Sequence, residues 1–121
     1  MAQKAIGITS SKLSIGKISA RKIITIKESL TFQNCDELET IFRDCLGQQK
    51  TEIILDFKKI SFLDSEGLEL LLRIHDELKD HGGALKLVGL NAVCLDILKA
   101  TRLINVFRVY EDIHKAIKDI S

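Results

Sequence analysis

The sequence predicts an α/β fold: a mixed β-sheet that opens with an N-terminal hairpin, continues in parallel strands and carries about four α-helices. Three observations lead there. Apolar residues alternate between Lys12 and Lys27, the period of half-buried strands. Thr51 to Phe57 reads TEIILDF, a β-branched run suited to a strand covered on both faces. After it, strand-like and helix-like segments alternate, the signature of parallel strands joined by right-handed crossovers.

Taken in order, the first eleven residues pair only Ile6 with Ile8, so an edge strand or a frayed tail is expected there. The hairpin follows, with Leu13, Ile15 and Ile18 on one side of a polar break at Ser19 to Lys22, and Ile24 and Ile26 on the other. From Asn34, the residues Cys35, Leu38, Ile41, Phe42 and Cys45 share one helical stripe that Gly47 closes. Thr51 to Phe57 comes next as the central strand. Leu68, Leu71, Leu72, His75 and Leu78 form a second stripe, ended by His81-Gly82-Gly83. Ala84 to Val88 is a strand, Asn91 to Ala100 a helix that Asn91 caps, Val106 to Val109 a strand, and Glu111 to Ile120 the closing helix.

The 121 residues, 45% of them hydrophobic, suffice for one core, and one domain over residues 1–121 is expected. Eighteen Lys and Arg against seventeen Asp and Glu leave a net charge of +1, which gives no bulk attraction to nucleic acid or an anionic membrane. Cys35, Cys45 and Cys94 lack metal-ligand spacing and read as buried, reduced thiols. No window reaches the roughly 20 apolar residues of a membrane span, nor does the N-terminus carry an export signal. A cytoplasmic protein without membrane insertion is expected.

Function in such sheets gathers at the carboxyl ends of the parallel strands, and Asp64-Ser65-Glu66-Gly67 falls in one of these loops. There a strand-derived segment turns into a helix, so the Ser65 hydroxyl is expected near unpaired N–H groups at the positive end of the helix dipole. Gly67 is expected to leave room for a visiting enzyme, with the carboxylates of Asp64 and Glu66 flanking the hydroxyl. The plainer alternative makes Asp64 or Ser65 an N-cap and nothing more.

Catalysis has little to stand on. Leu63 occupies the first glycine position of a G-x-S-x-G elbow. His75 sits on an apolar stripe, His81 at a helix end and His114 on a late helix. Phosphate-binding glycine loops are missing, and Asp56 with Asp64 is too small a set to hold a metal. No cofactor and no metal are expected, and the chain is not read as an enzyme.

The stretch IILDFKKISFLDSEGLELLLRIHDELKDHGGALKLVGLNAVCLDILKATRLINVFRVYEDIHKAI is similar to the bacterial anti-sigma-factor antagonists of the STAS domain family. The resemblance is strongest from Glu52 to Ile117. It rests on the D-[FL]-x-x-[IV]-x-[FY]-[ILM]-D-S-x-G-L string at Asp56 to Leu68 and the glycine-led strand at Gly82 to Val88. It implies that Ser65 is phosphorylated by an anti-sigma factor that is itself a serine kinase, whereupon the antagonist lets go. It also implies a PP2C-type phosphatase that resets the cycle. Asp64, Ser65, Glu66, Gly67, Glu69 and Thr31 are the partner-binding positions it marks. Thr31 stands where family members often carry an Asp, so the alternative implied is a constitutive STAS adaptor or scaffold in a signalling or transport complex.

Magnitudes favour a switch. Phosphorylation adds about 1.5 to 2 negative charges, which a helix N-terminus welcomes by roughly 0.3 to 1 kcal/mol. Against a partner carboxylate about 5 Å away, at an effective dielectric near 20, each charge is repelled by about 3 kcal/mol. Weakening a nanomolar complex to micromolar needs only about 4 kcal/mol.

Overall fold

The computed structural model describes residues 8–15, 19–27, 29–46 and 50–119. The elements run β1 (Ile8–Ile15), β2 (Ser19–Ile26), α1 (Cys35–Cys45), β3 (Lys50–Asp56), α2 (Ser65–Asp80), β4 (Ala84–Val88), α3 (Ala92–Ala100), β5 (Arg108–Tyr110) and α4 (Ile113–Lys118). The strands lie side by side in chain order. β1 runs antiparallel to β2, and β2 to β5 run parallel, so the sheet is mixed with a hairpin at its N-terminal edge.

Alternation along the strands sorts side chains to two faces. Ile24, Ile26, Ile53, Leu55, Leu85 and Leu87 pack on one side with Leu38 and Phe42 of α1, Leu71, Ile74 and Leu78 of α2, and Cys94 and Leu98 of α3. Fully burying a side chain such as Leu71 contributes about 2 kcal/mol over leaving it exposed. On the opposite face Ile54 and Val88 meet Ala116 of α4, with Ile23, Tyr110, Ile113 and Ile117 around them.

Polar groups also hold α4. Lys86 is fully buried. Its ammonium donates to the Ala116 carbonyl at 2.7 Å and to the Asp119 carbonyl, lies 3.1 Å from Glu52 and sits over the Tyr110 ring. Glu52 also accepts from Arg21, which is buried in β2 and lies 3.4 Å from the Ile117 carbonyl. Strand charges therefore cap the carbonyl end of α4, where a helix lacks internal partners. Burial pushes the Tyr110 hydroxyl up to about 12, and its hydrogen bond to Asp119 adds to the effect.

Three expectations change. The polar stretch Ser19 to Lys22 is the first half of β2 rather than a break, because Arg21 finds its counter-charge on the neighbouring strand. The hairpin's first strand begins at Ile8, and residues 1–7 and 16–18, including Ile6 and Ile18, lie outside the described residues, as does Gly47. The last strand is Arg108–Tyr110 rather than Val106 to Val109. Val106 and Phe107 instead close a turn by donating to the Leu103 carbonyl, and Phe107 enters the core.

Candidate functional site

The site is assembled where α2 begins. Asp64 is the N-cap: one carboxylate oxygen accepts from the Gly67 N–H at 2.8 Å. The other accepts from the Phe32 N–H at 2.9 Å. One side chain thus satisfies an orphan helix donor and ties α2 to the segment preceding α1. The backbones are joined as well: Leu30 pairs in parallel with Leu63, donating to the Phe62 carbonyl at 3.1 Å and accepting from the Asp64 N–H at 3.2 Å.

Asn34 knits this segment together instead of capping α1 with its side chain. Its amide oxygen accepts from the Thr31 N–H and its amide nitrogen donates to the Ser29 carbonyl. Thr31 is half-buried, and its hydroxyl accepts from the Gln33 N–H at 3.3 Å. It sits between Leu30, paired with Leu63, and Phe32, bonded to Asp64. Thr31 and the Asp64 loop, 33 positions apart in the sequence, share one surface.

Ser65 is the first residue of α2 and is exposed. Among the described residues its hydroxyl has no hydrogen-bond partner, since the capping work falls to Asp64. Glu66 is exposed in the first turn. Glu69, also exposed, lies four positions after Ser65 and hence on the same side of the helix. Asp56, the other carboxylate at this end, is buried and accepts from the Lys58 N–H at 3.0 Å.

Gly67 corrects the expectation placed on it. It is buried, and a Cβ there would fall 2.6 Å from the Leu30 carbonyl oxygen. Its missing side chain makes room for this chain's own Leu30 carbonyl.

Two residues that sequence reading missed complete the surface: Phe32 is 67% exposed and Phe62 48% exposed. They belong to the two segments that the Leu30 and Leu63 pairing brings together. One signal was available, since Phe62 and Leu63 are adjacent in an extended segment and cannot face the same way. Burial pushes the Cys35 thiol up to about 11; the carboxylates of Asp64, Glu66 and Asp36 push it in the same direction, and Arg73 opposes them. The site therefore combines an open hydroxyl, the neighbouring carboxylates of Asp64 and Glu66, and exposed aromatic rings. His75, half-buried, packs edge-on against Phe107, while His81 caps the far end of α2 and His114 is exposed on α4.

A sheet with a leading hairpin, and a serine opening the helix after the β3 loop, define a STAS-type domain. The STAS domain model matches residues 13–116, and the chain belongs to that family. STAS domains are typically non-enzymatic binding modules. The fold is similar to that of an anti-sigma factor antagonist from Mycobacterium paratuberculosis, with 16% identity over 97% of each chain and a TM-score of 0.74. It is also similar to SpoIIAA, the Bacillus cell fate determinant, in its phosphorylated form, with 18% identity over 93% of this chain and 100% of that one and a TM-score of 0.65. A sulfate transporter family protein from Wolinella succinogenes shares it too, with 22% identity over 79% of this chain and 80% of that one and a TM-score of 0.70. Among the described residues no helix is long and apolar enough to cross a membrane.

Proposed function

We propose that this protein is an anti-sigma-factor antagonist whose grip on a serine-kinase anti-sigma factor is released by phosphorylation of Ser65 and restored by a PP2C-type phosphatase. The observation that carries the reading is the exposed Ser65 hydroxyl, unpartnered among the described residues at the N-terminus of α2, beside a cap that does not depend on it. Phosphate at Ser65 leaves the fold in place, because Asp64 keeps the Gly67 N–H and the helix dipole favours the added charge. It changes the surface instead. A dianion beside the exposed Phe32 and Phe62 disfavours a docked partner through desolvation, and through like-charge repulsion of any carboxylate the partner brings there.

Incubating the purified chain with ATP and a GHKL-type serine kinase anti-sigma factor, followed by peptide mass spectrometry, tests the reading. Phosphate on Ser65 and loss of the complex are expected. Labelling that persists in Ser65→Ala places the modification elsewhere and ends the proposal.

A second reading, a constitutive adaptor in a signalling or transport complex, is supported by the neutral Thr31 beside the Asp64 loop and by the likeness to a sulfate transporter family protein. Equal partner affinity of the unmodified and Ser65-phosphorylated chains would favour it.

A further inference from the structure

The segment after β2 and the segment after β3 run side by side toward the start of α2, joined by the Leu30 and Leu63 pairing and by the Ser29 and Ser61 hydroxyls, which lie 3.0 Å apart. Both carry the same succession of side chains. In the first, exposed Lys27 stands two positions before Ser29 and exposed Phe32 follows it. In the second, exposed Lys59 stands two positions before Ser61 and exposed Phe62 comes next. Two residues of chain span at most about 7 Å, so both lysines stand near the serine pair, at the end of the band away from Ser65. Neither lysine has an ion-pair partner among the described residues.

The backbone holds the two rings outward. Asp64 fixes Phe32 through its N–H, and Leu63 enters the core beside Phe62. Large aromatic side chains that become desolvated at the centre of a contact are the ones that carry binding energy. We infer that the serine-kinase anti-sigma factor takes Phe32 and Phe62 into an apolar pocket whose rim is acidic on the side facing Lys27 and Lys59. This rests on the antagonist reading and adds how the partner is held and which way round. Unpaired ammoniums at a rim attract carboxylates and set orientation, while the exposed carboxylates of Glu66 and Glu69 at the other end turn the same groups away. A partner docked in reverse meets like charge at Glu66 and Glu69. Ser65 stands three positions after Phe62, so a phosphate there holds water at the edge of the ring contact.

The test measures binding of the purified, unmodified full-length chain to a GHKL-type serine-kinase anti-sigma factor without ATP, by calorimetry and by association rate. Phe32→Ala and Phe62→Ala should each weaken the complex by about tenfold or more, with the urea midpoint unchanged because both rings are exposed. The double variant Lys27→Glu, Lys59→Glu should bind about fivefold more weakly at low salt, through slower association. In about 0.5 M salt it should match the parent chain. Parental affinity in both phenylalanine variants overturns the ring contact, and equal or tighter binding of the double variant at low salt overturns the acidic rim. A chain that needs its rings for the complex but takes no phosphate on Ser65 upholds the surface and ends only the switch. A chain that binds no such factor ends both.

Discussion

The Lys86 ammonium and the Glu52 carboxylate meet 3.1 Å apart on neighbouring strands beneath α4, with Lys86 wholly shielded from water. Such a pair forms only where each charge has further partners. Glu52 has Arg21, and Lys86 has two carbonyls of the α4 end. The contact makes the second face of the sheet a charged clamp around a small apolar cluster.

Lys86→Met should destabilise the protein by on the order of 3 kcal/mol, because it leaves the Ala116 and Asp119 carbonyls without their donor and Glu52 with only one cation. Urea unfolding checks this through a lower midpoint at unchanged slope. An unchanged midpoint would mean that the apolar contacts of α4 suffice.

Gly67→Ala sets two effects against each other. Alanine favours a helix by about 1 kcal/mol over glycine, but its Cβ would fall 2.6 Å from the Leu30 oxygen, and overpacking of this kind costs about 1 to 3 kcal/mol. Net destabilisation is expected, together with shifted amide resonances at Leu30 and Phe32. A stabilised variant would show that the Leu30 segment yields freely.

Asp64→Ala should cost about 1 to 2 kcal/mol through loss of the cap, and it should also release the Phe32 N–H. Faster amide exchange at both Phe32 and Gly67 is the expected signature. Asp64→Asn keeps an acceptor for only one of the two, so the exchange pattern reports which link matters more.

Alkaline pH should weaken the fold through its thiols. Cys35 rises from an ordinary value near 9 to about 11, chiefly through burial, and burial also raises Cys45 and Cys94. Each thiol holds its proton more tightly when folded than when unfolded. Stability is thus unaffected below about pH 9 and falls as pH climbs from 9 toward 11, by on the order of 2 kcal/mol for Cys35. Urea midpoints across that range should decline, and Cys35→Ala should flatten the decline. Tyr110 adds its share at still higher pH.

Sequence pattern located elements whose burial follows a simple period. Ala84–Val88 and the helix capped by Asn91, whose side chain accepts from the Cys94 N–H, stand where apolar spacing put them. It failed where charges are buried in pairs: Arg21, Glu52 and Lys86 look solvated one at a time, and only strand register brings them together. At the candidate site, the Ser65 motif and its place at a helix start were legible. The Gly67 packing and the exposure of Phe32 and Phe62 were not, because both depend on Leu30 pairing with Leu63 across 33 positions.

α4 is six residues long, and a free peptide of that length does not stay helical in water. Its order is borrowed from the strands beneath it, so this segment should open on its own, well before the sheet does, and exchange its amide protons fastest among the helices. A detached α4 would bare Ile54, Val88 and the ammonium of Lys86 together. The back of the sheet would then become, briefly, a sticky and positively charged surface in an otherwise near-neutral molecule.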